Sequence, residues 1–383
     1  MKLHCDIRLP ASKSESNRVL MIAAYGGFTP DFQNLSDSKD TQTLMEALRS
    51  NLHVIDIADC GTAARFITTY LACQDGDWLL TGTERIKQRP MAPLVDALRS
   101  LGAEIQYVEN KGFLPLHIKG RPLEGGRVSI NTTQSSQFAS SLLLAAPMFP
   151  KGLEMELLGD LSSLPYLDMT IAMMGLFFAQ AKRQGRTIVV KPTPYQPRPF
   201  SVEPDWTAAS YWYEMAALSK ECEIRLLGLS GLSTGSEPAF LQGDAIIAEW
   251  MRQLGVGTFV DGNDIVLRKI PFEKRPLHFD FSFNPDLYPT MVATCAGLDV
   301  EATFTGLDNL AHKESDRVRA MQTELAKLGK PSLRFCAHND HRIVMALAPL
   351  AMLYGPITFD HLEVVEKSYP NYWKDASFLP IKG

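Results

Sequence analysis

A chain of 383 residues is long for one domain, so two are expected. Its 45% hydrophobic and 21% charged content is that of a soluble globular protein. A net charge of −5 argues against nucleic acid as the main partner, yet an anionic small molecule can still bind where Arg and Lys cluster. No uncharged apolar run approaches the ~18 residues of a membrane span. The start, Met1-Lys2-Leu3-His4-Cys5-Asp6, has no apolar signal core. Cys5, Cys60, Cys73, Cys222, Cys295 and Cys336 form no C-x-x-C pair. That suits a reducing compartment better than a disulfide framework or a zinc site. The expectation is a cytoplasmic protein with neither a membrane nor a nucleic-acid partner.

In chain order, alternation over residues 3–9 predicts a strand. Leu9-Pro10-Ala11-Ser12-Lys13-Ser14-Glu15-Ser16-Asn17-Arg18 follows, and an apolar run over 19–24 predicts a helix. Free N–H groups and a partial positive charge at a helix start, with hydroxyls, Lys and Arg, suit a phosphorylated or carboxylated ligand. Taken alone, the stretch reads more readily as a Ser-capped helix with solvated charges.

A unit then recurs in which an amphipathic helix stops at Gly and a β-rich run follows. Helices predicted over 93–101, 169–184, 244–254 and 317–328 stop at Gly102, Gly185, Gly255 and Gly329. Strands are predicted over 103–108, 187–190, 258–260, 265–267 and 333–336. Fainter copies run over 41–50 into 53–57, and over 340–353 through Gly355 into 357–359. Near-even spacing of the stops suggests an internally repeated α/β architecture, about three units per domain. The Pro-rich stretch 195–199 is the candidate hinge, and a helix follows over 207–218.

Polar clusters sit at helix entrances. Asp59-Cys60-Gly61-Thr62-Ala63-Ala64-Arg65 places a Gly where backbone can approach a ligand. Glu84-Arg85-Ile86-Lys87-Gln88-Arg89-Pro90 holds three cations, with Arg89 at a helix entrance where it can grip an anion. Gln134-Ser135-Ser136-Gln137 opens an apolar helix. Asp286 precedes a helix over 290–295, either as a cap or as a general base. In Asn309-Leu310-Ala311-His312-Lys313-Glu314-Ser315-Asp316-Arg317, Lys313 and Arg317 are expected to share a helix face beside Glu314. That group is either a wet salt-bridge network or a proton donor beside an anion. Asn339-Asp340-His341-Arg342 enters the helix over 343–353, and Lys367 follows a strand. No Gly-x-Gly-x-x-Gly, Walker or Gly-x-Ser-x-Gly motif occurs, and no His/Cys/carboxylate spacing supports a metal.

In this order and at these distances, the clusters resemble the 5-enolpyruvylshikimate-3-phosphate synthase (3-phosphoshikimate 1-carboxyvinyltransferase) family, from Leu9 to Pro370. The resemblance implies an α/β enolpyruvyl transferase fold of inverted α/β barrel type. Two similar domains, each of three βαβαββ repeats, would comprise residues 14–203 and residues 1–13 with 204–383. It also implies an active site in the interdomain cleft, a monomer, and transfer of enolpyruvate from phosphoenolpyruvate to the 5-hydroxyl of shikimate-3-phosphate without metal or organic cofactor. Lys13, Ser14, Arg18, Ser135, Ser136, Gln137, Ser163, Tyr166, Asp286, Asn309 and Lys313 would bind shikimate-3-phosphate. Lys13, Gly61, Arg89, Gln137, Arg317, Arg342 and Lys367 would bind phosphoenolpyruvate. Glu314 would protonate the enol carbon, Asp286 would take the hydroxyl proton, and Lys13 would touch both substrates.

The chain departs from the family pattern at three places. Asp59 stands where Asn is usual, so its carboxylate must point away from the phosphate or pair with Arg65. The segment between Arg18 and Gly61 is short, so one repeat is expected to be trimmed. Pro204 and Trp206 replace small residues around Asp205. Two alternatives stand beside the main reading. One is the related UDP-N-acetylglucosamine enolpyruvyl transferase, which the absence of Cys in Ile86-Lys87-Gln88-Arg89-Pro90 disfavours. The other is a non-catalytic binding protein on the same scaffold, disfavoured by the presence of Asp286, Glu314 and the Arg residues.

Overall fold

The computed structural model describes residues 1–159, 161, 164–229 and 241–383. The chain divides into two compact units. One comprises Lys13–Ser36 and Asp40–Val202; the other comprises Met1–Ser12, Asp37–Lys39 and Glu203–Gly383. The Pro-rich stretch 195–199 lies inside the first unit, where the buried Tyr195 hydroxyl donates to Leu144 O at 2.9 Å.

Each unit is built around helices that are buried on nearly every side. In the first unit, Lys13–Gly26, Gly61–Ala72 and Gln137–Ala145 pack on one another, and Leu164–Leu176 packs against the first and third. In the second, Trp206–Leu218 is buried along its whole length and packs on Tyr288–Leu298 and His341–Leu347. Its large apolar side chains each contribute roughly 1.5–3 kcal/mol by burial.

The order βαβαββ is complete in three sheets. Val54–Asp56 lies parallel to Gly76–Thr81, which pairs antiparallel with Leu116–Gly120, and that strand with Glu104–Tyr107. Gly126–Asn131, Leu153–Leu158, Thr187–Val190 and Ala181–Gln184 repeat the plan. In the second unit, Lys2–Ile7 pairs in parallel with Glu221–Leu226, so this repeat is interrupted by the entire first unit. Among the described residues, the other three repeats are cut down. Phe32–Gln33 pairs with Phe200–Ser201, and Leu277–Asp280 with Ala302–Thr305. The third holds Leu333–Phe335, Ile357–Phe359 and Ile381–Lys382. The short segment between Arg18 and Gly61 holds the two-residue strand Phe32–Gln33, the helix Lys39–Arg49 and the strand Val54–Asp56.

Two local expectations are corrected. The helix expected over 169–184 spans Leu164–Leu176, and Ala181–Gln184 is a strand. Gly185, at φ +60°, closes a two-residue hairpin to Thr187–Val190 rather than ending a helix. Lys313 and Arg317 share no helix face. The Asp316 carboxylate accepts from Arg319 N and starts the helix at Arg317, leaving Lys313 after the turn Asp308–His312.

Glu214, midway along Trp206–Leu218, is fully buried, and neither carboxyl oxygen has a hydrogen-bond partner among the described residues. Burial pushes this carboxyl well above its ordinary value of 4.5. An acid raised on folding makes stability fall as pH climbs from the unfolded value toward the folded one, by about 1.4 kcal/mol per pH unit. Glu214→Gln is therefore expected to melt higher than the parent at pH 8, with the difference closing as pH approaches 4.5. Parallel melting curves across that range would contradict the assignment.

Candidate functional site

Within each unit, several of the packed helices begin at the polar motifs, so the apolar run that buries a helix also fixes where its polar start lies. In the first unit, Lys13 Nζ donates to Asp40 Oδ2 at 2.9 Å, both side chains being nearly buried. Asp40 was not singled out in the sequence, where an acid in the first turn of Lys39–Arg49 reads as a helix-start charge. The Asp40 carbonyl accepts from Cys60 Sγ at 3.5 Å, and Cys60 Sγ in turn accepts from Ala63 N, capping Gly61–Ala72.

Arg89 lies over that helix start. A methyl built on Gly61 would meet Arg89 Nη1 and Arg65 Nη1, so only Gly lets the guanidinium approach this backbone. Arg65 is held by Gly61 O at 2.9 Å and Pro90 O at 3.0 Å. Lys87 instead faces outward, pairing with Glu84 and Glu109 at 3.0 Å each. Asp59 accepts a hydrogen bond from the Thr83 hydroxyl.

Gln137 bridges to this helix, its Nε2 donating to Thr62 Oγ1 at 3.1 Å and its backbone N to Ser135 Oγ at 3.2 Å. Gln137 Oε1 is buried without a partner among the described residues. Ser136 is buried at the same helix start. Arg18 is buried and joins three helices. It donates to Ser14 O at 2.8 Å, Thr170 Oγ1 at 2.7 Å, Tyr166 O at 3.2 Å and Ser140 Oγ at 3.4 Å. Burial pulls its guanidinium down to about 10, which leaves it charged at neutral pH. Ser163 lies outside the described residues.

In the second unit, Asp286 sits on the turn Pro285–Leu287, ahead of Tyr288–Leu298. Its Oδ1 accepts from Arg317 Nη1 at 2.8 Å and Lys313 Nζ at 3.3 Å, and its Oδ2 from Arg342 Nη2 at 2.7 Å. Burial alone would raise this carboxyl, but Arg342, Lys313 and Arg317 outweigh it and hold it well below the usual carboxylate range. It is an ionised acceptor, not a helix cap.

Arg317, 1% exposed, is the hub. It also donates to Glu314 Oε2 at 2.8 Å, and to Asp340 Oδ2 at 2.9 Å and Oδ1 at 3.3 Å. Burial would lower it, but Asp340, Glu314 and Asp286 raise it further. Asp340, seen in the sequence only as a polar helix start, accepts also from Ser315 and caps His341–Leu347. Lys367 Nζ lies 3.9 Å from Glu314 Oε1, on the turn Glu363–Lys367. Asn309 is buried on the turn leading to Lys313. Four cations, Lys313, Arg317, Arg342 and Lys367, thus surround three carboxylates, Asp286, Glu314 and Asp340, all of which share Arg317. Such a group can bind anions while holding one carboxylate as a base.

The family model for EPSP synthase (3-phosphoshikimate 1-carboxyvinyltransferase) matches residues 50–376. A 3-phosphoshikimate 1-carboxyvinyltransferase of Bacteroides fragilis (strain YCH46) is 43% identical over 395 residues, covering 98% of this chain and 95% of that protein. One of Aliivibrio fischeri (strain ATCC 700601 / ES114) is 30% identical over 418 residues, covering 97% and 96%. A solved EPSP synthase from Acinetobacter baumannii superposes with a TM-score of 0.74 at 19% identity, covering 99% of this chain and 96% of that one, a likeness of fold. The matched residues span both units and every motif from Gly61 to Lys367, so the chain belongs to the EPSP synthase (3-phosphoshikimate 1-carboxyvinyltransferase) family.

Proposed function

We propose that the chain transfers the enolpyruvyl group of phosphoenolpyruvate to the 5-hydroxyl of shikimate-3-phosphate, releasing phosphate. The observation that carries this reading is the pair Asp286 and Glu314, both bonded to Arg317 among Lys313, Arg342 and Lys367. The reaction needs a proton donor to the methylene carbon, an acceptor for the hydroxyl proton, and cations against two anionic substrates. Glu314 would protonate the methylene carbon. Asp286 would take the hydroxyl proton as that oxygen bonds to the central enol carbon. The tetrahedral adduct would then lose phosphate and one methyl proton to restore the enol ether.

Phosphoenolpyruvate would be gripped by Lys13, Gly61, Arg89, Gln137, Arg317, Arg342 and Lys367. Shikimate-3-phosphate would fall to Lys13, Ser14, Arg18, Ser135, Ser136, Gln137, Ser163, Tyr166, Asp286, Asn309 and Lys313. Arg18 would serve its phosphate largely through the helix start it braces. We read the protein as cytoplasmic and monomeric; the six thiols, none in a disulfide, support a reducing compartment.

The test is phosphate release from phosphoenolpyruvate with shikimate-3-phosphate or UDP-N-acetylglucosamine as acceptor. Release with shikimate-3-phosphate alone is expected. Release only with the nucleotide sugar would move the chain to the related transferase, and release with neither to a binding protein. Gly61→Ala would place its methyl against Arg89 Nη1 and push the guanidinium aside. Losing a charge-assisted contact of that kind is expected to raise KM for phosphoenolpyruvate about 10- to 100-fold, with a smaller change in KM for shikimate-3-phosphate. Equal changes in both constants would contradict the Arg89 assignment.

A further inference from the structure

Next to Asp286 lies another buried carboxyl that the proposed reaction does not use. Asp244 is on the turn Gly243–Ile246. Its Oδ2 accepts from the Thr207 hydroxyl at 2.5 Å, and its Oδ1 from Asn284 Nδ2 at 3.1 Å. Gln242, two residues earlier, accepts at Oε1 from Trp206 N and donates from Nε2 to Pro204 O, both at 2.9 Å. One short turn therefore grips the first turn of the central helix Trp206–Leu218 and also the residue two before Asp286.

Asn284 is where that grip reaches the turn of Asp286. Its backbone, at φ −131° and ψ 55°, is neither helical nor extended, and its side chain does not cap the turn it precedes. Its backbone N donates to Phe281 O at 3.2 Å and its O accepts from Leu287 N at 3.1 Å, and among the described residues the one hydrogen bond of its side-chain amide goes to Asp244. The three cations on Asp286 attract its carboxylate but do not hold the backbone that carries it. Burial and the nearby Asp286 charge push Asp244 up to about 6, while the bonds from Thr207 and Asn284 favour its ionised form.

We propose that Asp244 is a positioning residue for Asp286: through Asn284 it fixes the turn that aims the Asp286 carboxylate. This rests on the reading above, in which Asp286 is the base. Displacing a reacting group by about 1 Å is enough to slow a reaction on the order of 100-fold.

The experiment compares kcat, both KM values and unfolding midpoints for the parent, D244A, N284A, the double variant and D244N. D244A and N284A are each expected to lower kcat roughly 10- to 100-fold with little change in either KM. The double variant is expected to be no worse than either single one, because all three cut the same link. D244N keeps both bonds, its amide oxygen accepting from Asn284 and its NH2 donating to the Thr207 hydroxyl. It is expected to recover most of kcat. If D244A does not fold, N284A and D244N decide. Parent-like kcat in N284A, a D244N as impaired as D244A, or additive losses in the double variant would overturn the positioning role. A parent protein with no turnover would overturn the transferase reading instead, and is measured first.

Discussion

Arg317→Ala is expected to lower the unfolding free energy by about 3–5 kcal/mol at pH 8, the scale for removing one partner from a buried ionic group. Arg317 is enclosed, and Asp286, Glu314 and Asp340 all lean on it. Without it Asp340, which is fully buried, would keep, among the described residues, only its hydrogen bonds from Ser315 and from the start of its own helix. The sign with pH follows. Carboxylates deprived of their cation have raised pKa values, so the penalty is full at high pH and fades as pH falls and they take up protons. Arg317→Lys is expected to fall between, because one ammonium cannot fork to three carboxylates as a guanidinium does. Urea titrations at pH 8 and pH 5 measure this. A loss under about 1 kcal/mol at pH 8, the size of an exposed pair, would mean the hub is not the internal clamp described here.

Glu314→Gln is expected to reduce kcat by about 10²–10⁴, the range for a lost general acid, with stability near that of the parent. The substitution is selective because the amide oxygen can still accept from Arg317 Nη2, which now meets Glu314 Oε2 at 2.8 Å. The transferable proton is lost together with the charge that faces Arg317 and Lys367, while Arg317 keeps Asp286 and Asp340. Asp286→Asn is expected to lose both activity and stability, because three cations share that carboxylate. Turnover of Glu314→Gln within about threefold of the parent would remove Glu314 from the proton-donor role.

Much of this arrangement was legible in the chain because burial and motif placement coincide. Helices such as Tyr288–Leu298 and His341–Leu347 lack a polar face, so they must lie inside, and polar residues at their starts cannot all be solvated. The strands at 187–190, 333–335 and 357–359 were visible in their apolar runs. What escaped was set by partners distant in sequence. Asp40 meets Lys13 across 27 residues, and Asp340 meets Arg317 across 23. Each looked locally like a charge at a helix start, and Asp340 does cap its helix while also serving the hub. Gly185 is ambiguous in sequence because a left-handed Gly closes a hairpin as readily as it ends a helix. Lys313 lies outside the helix because Asp316 takes the helix start. Asp244 gave no signal, since its meaning depends on Asn284 forty residues later.

The most direct measurement follows the reaction by NMR in deuterated water, with phosphoenolpyruvate and shikimate-3-phosphate. Protonation of the methylene carbon from a group in exchange with solvent predicts three things together: free phosphate, a new enolpyruvyl ether, and deuterium in its methylene group. Glu314→Gln should lose all three. No enolpyruvyl ether, or one whose methylene carries only the original hydrogens, would contradict the account.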